Sequence, residues 1–166
     1  PAAFVEGAPL ELVGSALSGK LIMSSDYSDL RPRTFASMEL FLDMLHAVRG
    51  LVDLDFESIA IFVCVGEATM RPVLADPDLV ARIAHQAAAP EAVRGSITML
   101  LVSDRLGLPR ETVRRKVKNL IGLGLLFEDE KGRIRSTPMF DNPKMAETMK
   151  AVRDAVRRYH ERLAKY

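Results

Sequence analysis

The chain has 166 residues, 48% apolar and 27% charged, with a net charge of +1. That length can enclose a real core and that composition is ordinary globular usage, which excludes a disordered tail. A single cysteine, Cys64, excludes an internal disulfide and a cysteine-based zinc site.

Residues 1–33 mix glycine, serine and proline with short apolar pairs, the pattern of an irregular N-terminal arm. They begin Pro-Ala-Ala and hold no basic stretch followed by a long apolar core, so no secretory signal is read in them. Thr34 is placed to cap a helix carrying Phe35, Met38, Phe41, Leu42, Leu45 and Val48 at helical spacing, which Gly50 ends. Asp53 or Asp55 caps a second helix, apolar nearly all round as in the centre of a bundle, which runs to about Met70 and is stopped by Pro72. Its apolar stretch Phe56–Val65 is too short to span a bilayer and has Glu57 and Glu67 at its ends. Cys64 lies within that stretch and reads as a packing residue, because a redox-active thiol needs exposure and cationic neighbours that the sequence does not supply. Asp76-Pro77 predicts a third helix reaching about Ala88, and Pro90 and Gly95 punctuate before a short extended Ser96-Ile97. Residues 34–94 therefore read as a helical region.

The run from Leu101 to Leu126 reads as two helices around a tight turn. The first, taken as Ile97–Leu106, ends at Gly107, where glycine tolerates the positive φ of a sharp turn. Pro109 suits the first turn of the second helix, and Glu111 adds a carboxylate near its positive end. Val113, Val117, Leu120 and Ile121 make its inward stripe. At about 100° per residue, Arg115 falls near the centre of the opposite face, flanked by Glu111, Lys118 and Asn119, with Arg110 and Arg114 nearer the borders. Central positions suit base edges and border positions suit phosphates. Gly122 and Gly124 close the helix, and Leu125–Phe127 and Arg133–Thr137 have strand character around a turn at Glu128–Gly132, which makes a two-stranded wing.

On these features residues 96–138 resemble a bacterial winged helix-turn-helix transcriptional regulator, with Ser103 at the usual small-residue position, Gly107 in the turn, and Val113, Leu120 and Gly124 at framework positions. The segment Arg110-Glu111-Thr112-Val113 with Arg115 is similar to the recognition helix of the cyclic AMP receptor protein and FNR family. That similarity implies base contacts by Arg110, Glu111 and Arg115, with Thr112 in the same base-reading segment. The chemistry agrees: an arginine fork bonds guanine O6 and N7 together, and a glutamate accepts from cytosine N4. Glu111 and Arg115 are also spaced for a helix-surface ion pair. Arg114, Lys118, Lys131, Arg133 and Arg135 are the expected phosphate contacts, with the acidic Glu128-Asp129-Glu130 turned outward because it would repel phosphate. The preceding region reads as helices and not as a β-barrel, so cyclic-nucleotide sensing is not supported.

After Asn142-Pro143, the residues Met145, Met149, Val152, Val156, Tyr159, Leu163 and Tyr166 alternate in steps of four and three, an a/d heptad pattern. Its partner is either a second copy of the chain or the chain's own first helices. Helices before and after a winged domain are similar in architecture to the MarR regulators, whose terminal helices form the dimer interface, and this implies a homodimer. The acidic wing departs from that family's aspartate-arginine pattern.

Charge is unevenly distributed: residues 1–90 hold 6 Lys/Arg against 12 Asp/Glu, and residues 91–166 hold 17 against 10. A basic C-terminal half fits a polyanionic partner. His46, His85 and His160 lack metal-ligand spacing, and neither a glycine-rich phosphate loop nor an acid, base and nucleophile constellation is found. The sequence thus predicts a mainly α protein with a small β wing, a winged helix-turn-helix at residues 95–140 with flanking helices and a C-terminal amphipathic helix at 141–166. The expected function is that of a cytoplasmic, homodimeric regulator that reads double-stranded DNA without a cofactor, metal or catalytic step. The rival is a winged domain used for protein contacts or scaffolding. An apolar pocket near Phe41, Phe62 and Met70 would suit a small-molecule effector.

Overall fold

The computed structural model describes residues 28–51, 53–139 and 141–165. The described chain runs α1 (Leu30–Leu51), α2 (Phe56–Leu74), α3 (Pro77–Ile83), a 3-10 turn at Glu91–Val93, α4 (Met99–Leu106), α5 (Arg110–Gly122), β1 (Leu126–Glu128), β2 (Ile134–Ser136) and α6 (Pro143–Leu163). It is mainly α with a small antiparallel sheet, as the sequence predicts. The expectation of an irregular arm falls mostly outside the described residues.

Residues 30–33, assigned to that arm, are instead the first turn of α1. Pro32 sits where its missing N–H is no loss, and the Thr34 hydroxyl donates back to the Leu30 carbonyl at 2.8 Å instead of capping a new helix. Gly50 does not end α1, which continues to Leu51.

Asp55 is the cap of α2, its carboxylate accepting from the Ser58 N–H at 2.9 Å. The helix passes through Pro72 to Leu74. Pro72 cannot donate to the Ala68 carbonyl, and Gly95 docks at this gap: its N–H donates to the Thr69 carbonyl at 2.8 Å. A Cβ at position 95 would overlap the Ala68 oxygen and press on the Pro72 ring, so close approach requires glycine there. Asp76 caps α3 through the Leu79 N–H at 2.9 Å. That helix stops at Ile83, short of Ala88, and buries none of its residues; a short helix without a packed face has little to extend it.

α4 begins at Met99 and not at Ile97, because the Thr98 hydroxyl caps it by accepting from the Leu101 N–H. Ile97 is committed elsewhere, exchanging two backbone hydrogen bonds with Ile134 of β2 at 3.0 and 2.8 Å. Gly107 adopts φ +64° at the end of α4. The Ser103 hydroxyl pins the turn by donating to the Leu108 carbonyl at 2.6 Å. β1 and β2 pair with Phe127 opposite Arg135.

α2 is the central helix that the sequence predicts. Its Ile61 and Val65 join Ile97, Val102, Val113, Val117, Leu120, Leu126 and Ile134 in one buried cluster, so the helical region and the α4–α5 unit share a core. α6 starts from an Asn142 cap, with Pro143 in its first turn. Its partner in the fold is α1, and the two make the most extensive helix–helix contact among the described residues. The pairs Arg158–Asp43 at 2.7 Å and Arg162–Glu39 at 2.8 Å fix an antiparallel alignment. Met145, Thr148 and Ala155 of α6 and Ala36 of α1 are buried, while heptad residues Met149 and Val156 remain exposed. Phe35, Met38, Phe41 and Leu42 of α1 are also 55–63% exposed. No single described helix is long and apolar enough to cross a membrane.

Candidate nucleic-acid interface

α5 divides its charges between two faces. Val113, Val117 and Leu120 are fully buried and Ile121 is half-buried. Lys116, three residues after Val113 and four before Leu120, shares that inward face and is only 9% exposed. Its ammonium donates to the Asp55 carboxylate and lies 3.5 Å from the Glu57 carboxylate. The Lys116 hydrogen bond and the Ser58 N–H hold the Asp55 carboxyl down at about 2. Lys116 therefore ties α5 to the N-terminus of α2. The sequence reading gave it no role, although its spacing from Val113 and Leu120 was the available signal.

On the outward face, Arg110, Arg115 and Lys118 are exposed, and none of their side chains makes a hydrogen bond or ion pair with another described residue. Glu111 does not pair with Arg115. Its two carboxylate oxygens accept from the Arg114 fork at 2.8 and 2.6 Å, a parallel two-bond geometry that one arginine satisfies fully. The Arg114 hydrogen bonds draw the Glu111 carboxyl below its ordinary range. Thr112 is half-buried at the border of the two faces. Of the expected base-reading residues, Arg110 and Arg115 are thus free and Glu111 is engaged. Of the α5 phosphate candidates, Lys118 is free and Arg114 is paired.

In the β1–β2 turn, the Lys131 side chain is exposed and makes no hydrogen bond or ion pair among the described residues. The Arg133 fork donates to the Ser96 carbonyl at 2.9 Å while the residue stays exposed. Arg135 points inward. Its side chain is 18% exposed, 3.3 Å from the Asp129 carboxylate and 3.6 Å from that of Glu91, which argues against the expected phosphate contact. Asp129 is likewise not turned outward. It accepts from the backbone N–H groups of Arg133 at 2.9 Å and Lys131 at 3.0 Å, which order the turn and lower its pKa. Glu128 and Glu130 are exposed, as expected.

No family model, curated protein or solved structure matches this chain. The geometry of α5 and the hairpin carries the functional argument on its own.

Proposed function

We propose that the protein is a sequence-specific, double-stranded-DNA-binding regulator of the winged helix-turn-helix type, acting as a homodimer in a bacterial cytoplasm. The observation that carries this reading is the division of α5: the inward lysine is spent on α2, and Arg110, Arg115 and Lys118 are left unpartnered on the outward face. Arg115, at the centre of that face, has the fork that guanine O6 and N7 accept together. Lys118 and Lys131 supply backbone contacts, with Arg114 joining them once DNA competes for the Glu111 pair. The β1–β2 hairpin acts as the wing.

The exposed apolar residues of α1 and α6 support the homodimer. Phe35, Met38 and Leu42, with Val156, give a second copy a surface to cover, and two-fold dimers read paired half-sites. The test is selection from a random duplex pool by the purified protein at two salt concentrations. An enriched inverted repeat that survives the higher salt is the expected outcome. If nothing is enriched and binding vanishes with modest salt, the reading fails and the helix serves an acidic protein partner instead.

A further inference from the structure

Among the described residues two cations are more than nine-tenths buried, and they are treated differently. Lys116 meets two carboxylates, whereas Arg94 has none within 4 Å among the described residues. Arg94 is 8% exposed. Its guanidinium donates one hydrogen bond to the Ser136 carbonyl and lies 5.9 Å from the centre of the Phe127 ring. Glu91, which also acts on it, is paired with Arg135. A guanidinium has five N–H donors, and a buried charge is costly unless it is paired. Burial and the neighbouring charge of Arg135 accordingly push the Arg94 pKa down.

Arg94 lines a cavity of about 480 Å³ between α2, α3, α6 and the segment after β2. Its walls include Phe62, Met70, Leu74, Ile83, Met139 and Met149. Such a volume is in the range of small-molecule sites, which are mostly apolar with a few polar groups that fix orientation. Glu67 also lines it, but its carboxylate is held by Arg71 at 2.7 Å and Arg105 at 3.0 Å. Arg94 is thus the charged group left to orient a ligand, beside the neutral Gln86, Thr137 and Thr148, and its charge calls for an anion.

We propose that this cavity binds an organic monoanion with an aliphatic body, of the fatty-acid type, whose carboxylate pairs with Arg94. The inference is independent of the DNA-binding reading, and neither result decides the other. The test titrates the full chain, labelled at its methionine methyl groups, with decanoate and separately with decan-1-ol, following methyl NMR shifts. Decanoate is expected to shift Met70, Met139, Met145 and Met149, which line the cavity, and not Met44, which lines only the adjoining groove between α1 and α2. It should bind about tenfold or more tightly than the alcohol, as a charge-assisted pair requires. Arg94→Gln should abolish that difference and Arg94→Lys should restore part of it. Leu74→Trp, which fills the mouth from an exposed position, should weaken both ligands. The proposal is overturned if decanoate does not bind, if acid and alcohol bind the unmodified protein equally, or if Met44 is the methyl that shifts. The comparison of acid with alcohol decides the matter even where an Arg94 variant does not fold.

Discussion

α5 and α1 carry apolar stripes that look alike on paper but meet different fates. In α5, Val113, Val117 and Leu120 are withdrawn completely from solvent. In α1, Phe35, Met38, Phe41 and Leu42 lie more than half exposed although α6 runs the length of the helix, because α6 covers the neighbouring face around Ala36. Helical periodicity therefore states which residues share a face, not what covers it. A stripe that no described element covers is a surface that another molecule can cover.

The largest effect should come from cutting the two stripes at equivalent points. Leu120→Ala removes a fully buried side chain and should cost about 2–5 kcal/mol in urea unfolding. Leu42→Asp, at an exposed site, should leave monomer stability within roughly 0.5 kcal/mol but shift sedimentation from dimer to monomer, as should Val156→Asp. Unchanged sedimentation in both variants would reject this face as the homodimer seam.

Gly95→Ala is a smaller intervention on the side where α2 meets the rest of the core. The new Cβ collides with backbone and not with a flexible side chain, so a loss of about 1–3 kcal/mol is expected. An alanine variant as stable as the parent would mean that the Pro72 region yields easily.

Within α5 the comparison narrows to adjacent residues. Arg115→Ala should cost about 1–3 kcal/mol on the selected duplex and relax preference at one base pair, while leaving unfolding unchanged. Lys118→Ala should weaken all duplexes similarly and lower the salt slope by about one. Lys116→Met should do neither and should alter stability only. Equal losses for Arg115→Ala on every sequence would remove base readout from this helix.

Much of this division was legible in the sequence, and the failures have physical causes. The caps at Asp76 and Asn142 and the turn at Gly107 depend on neighbours within a few residues and are visible in the sequence, which leaves Asp53 and Asp55 as alternatives for the cap of α2. Pro72 was read as a stop because a local rule knows nothing of Gly95, which docks from 23 positions away. Thr34 looked like a cap because Leu30–Arg33 carries no helix periodicity of its own, and Pro32 is harmless only in a first turn. In the site, the free arginines at 110 and 115 follow from the helical wheel, and so would the inward Lys116 had its spacing been weighed. The inward turn of Arg135 and Asp129 could not be read that way, since it depends on Glu91 and on the hairpin's own closure. Arg94 had no local signal at all, because Phe127 and Ser136 bury it from 33 and 42 positions away.

The smallest expected effect distinguishes the inner from the outer cations of α5 by acid. Asp55 sits at about 2 in the folded protein against an ordinary 3.8, principally through the Lys116 hydrogen bond. A depressed carboxyl stabilises the fold fully above its unfolded value and loses that contribution as pH falls through the folded one. The relevant window therefore lies between 3.8 and about 2. Water screens the pair, since the Asp55 side chain is 57% exposed, so the slope should be shallow. Asp55→Asn keeps an oxygen for the Ser58 cap and leaves Glu57 near Lys116, removing only the charge of one partner. Urea midpoints of parent and variant should differ at neutral pH and converge toward the acid end of the window. If the two curves stay parallel down to that end, the Asp55 charge is not what anchors Lys116, and Glu57 alone must hold the inward lysine on α2.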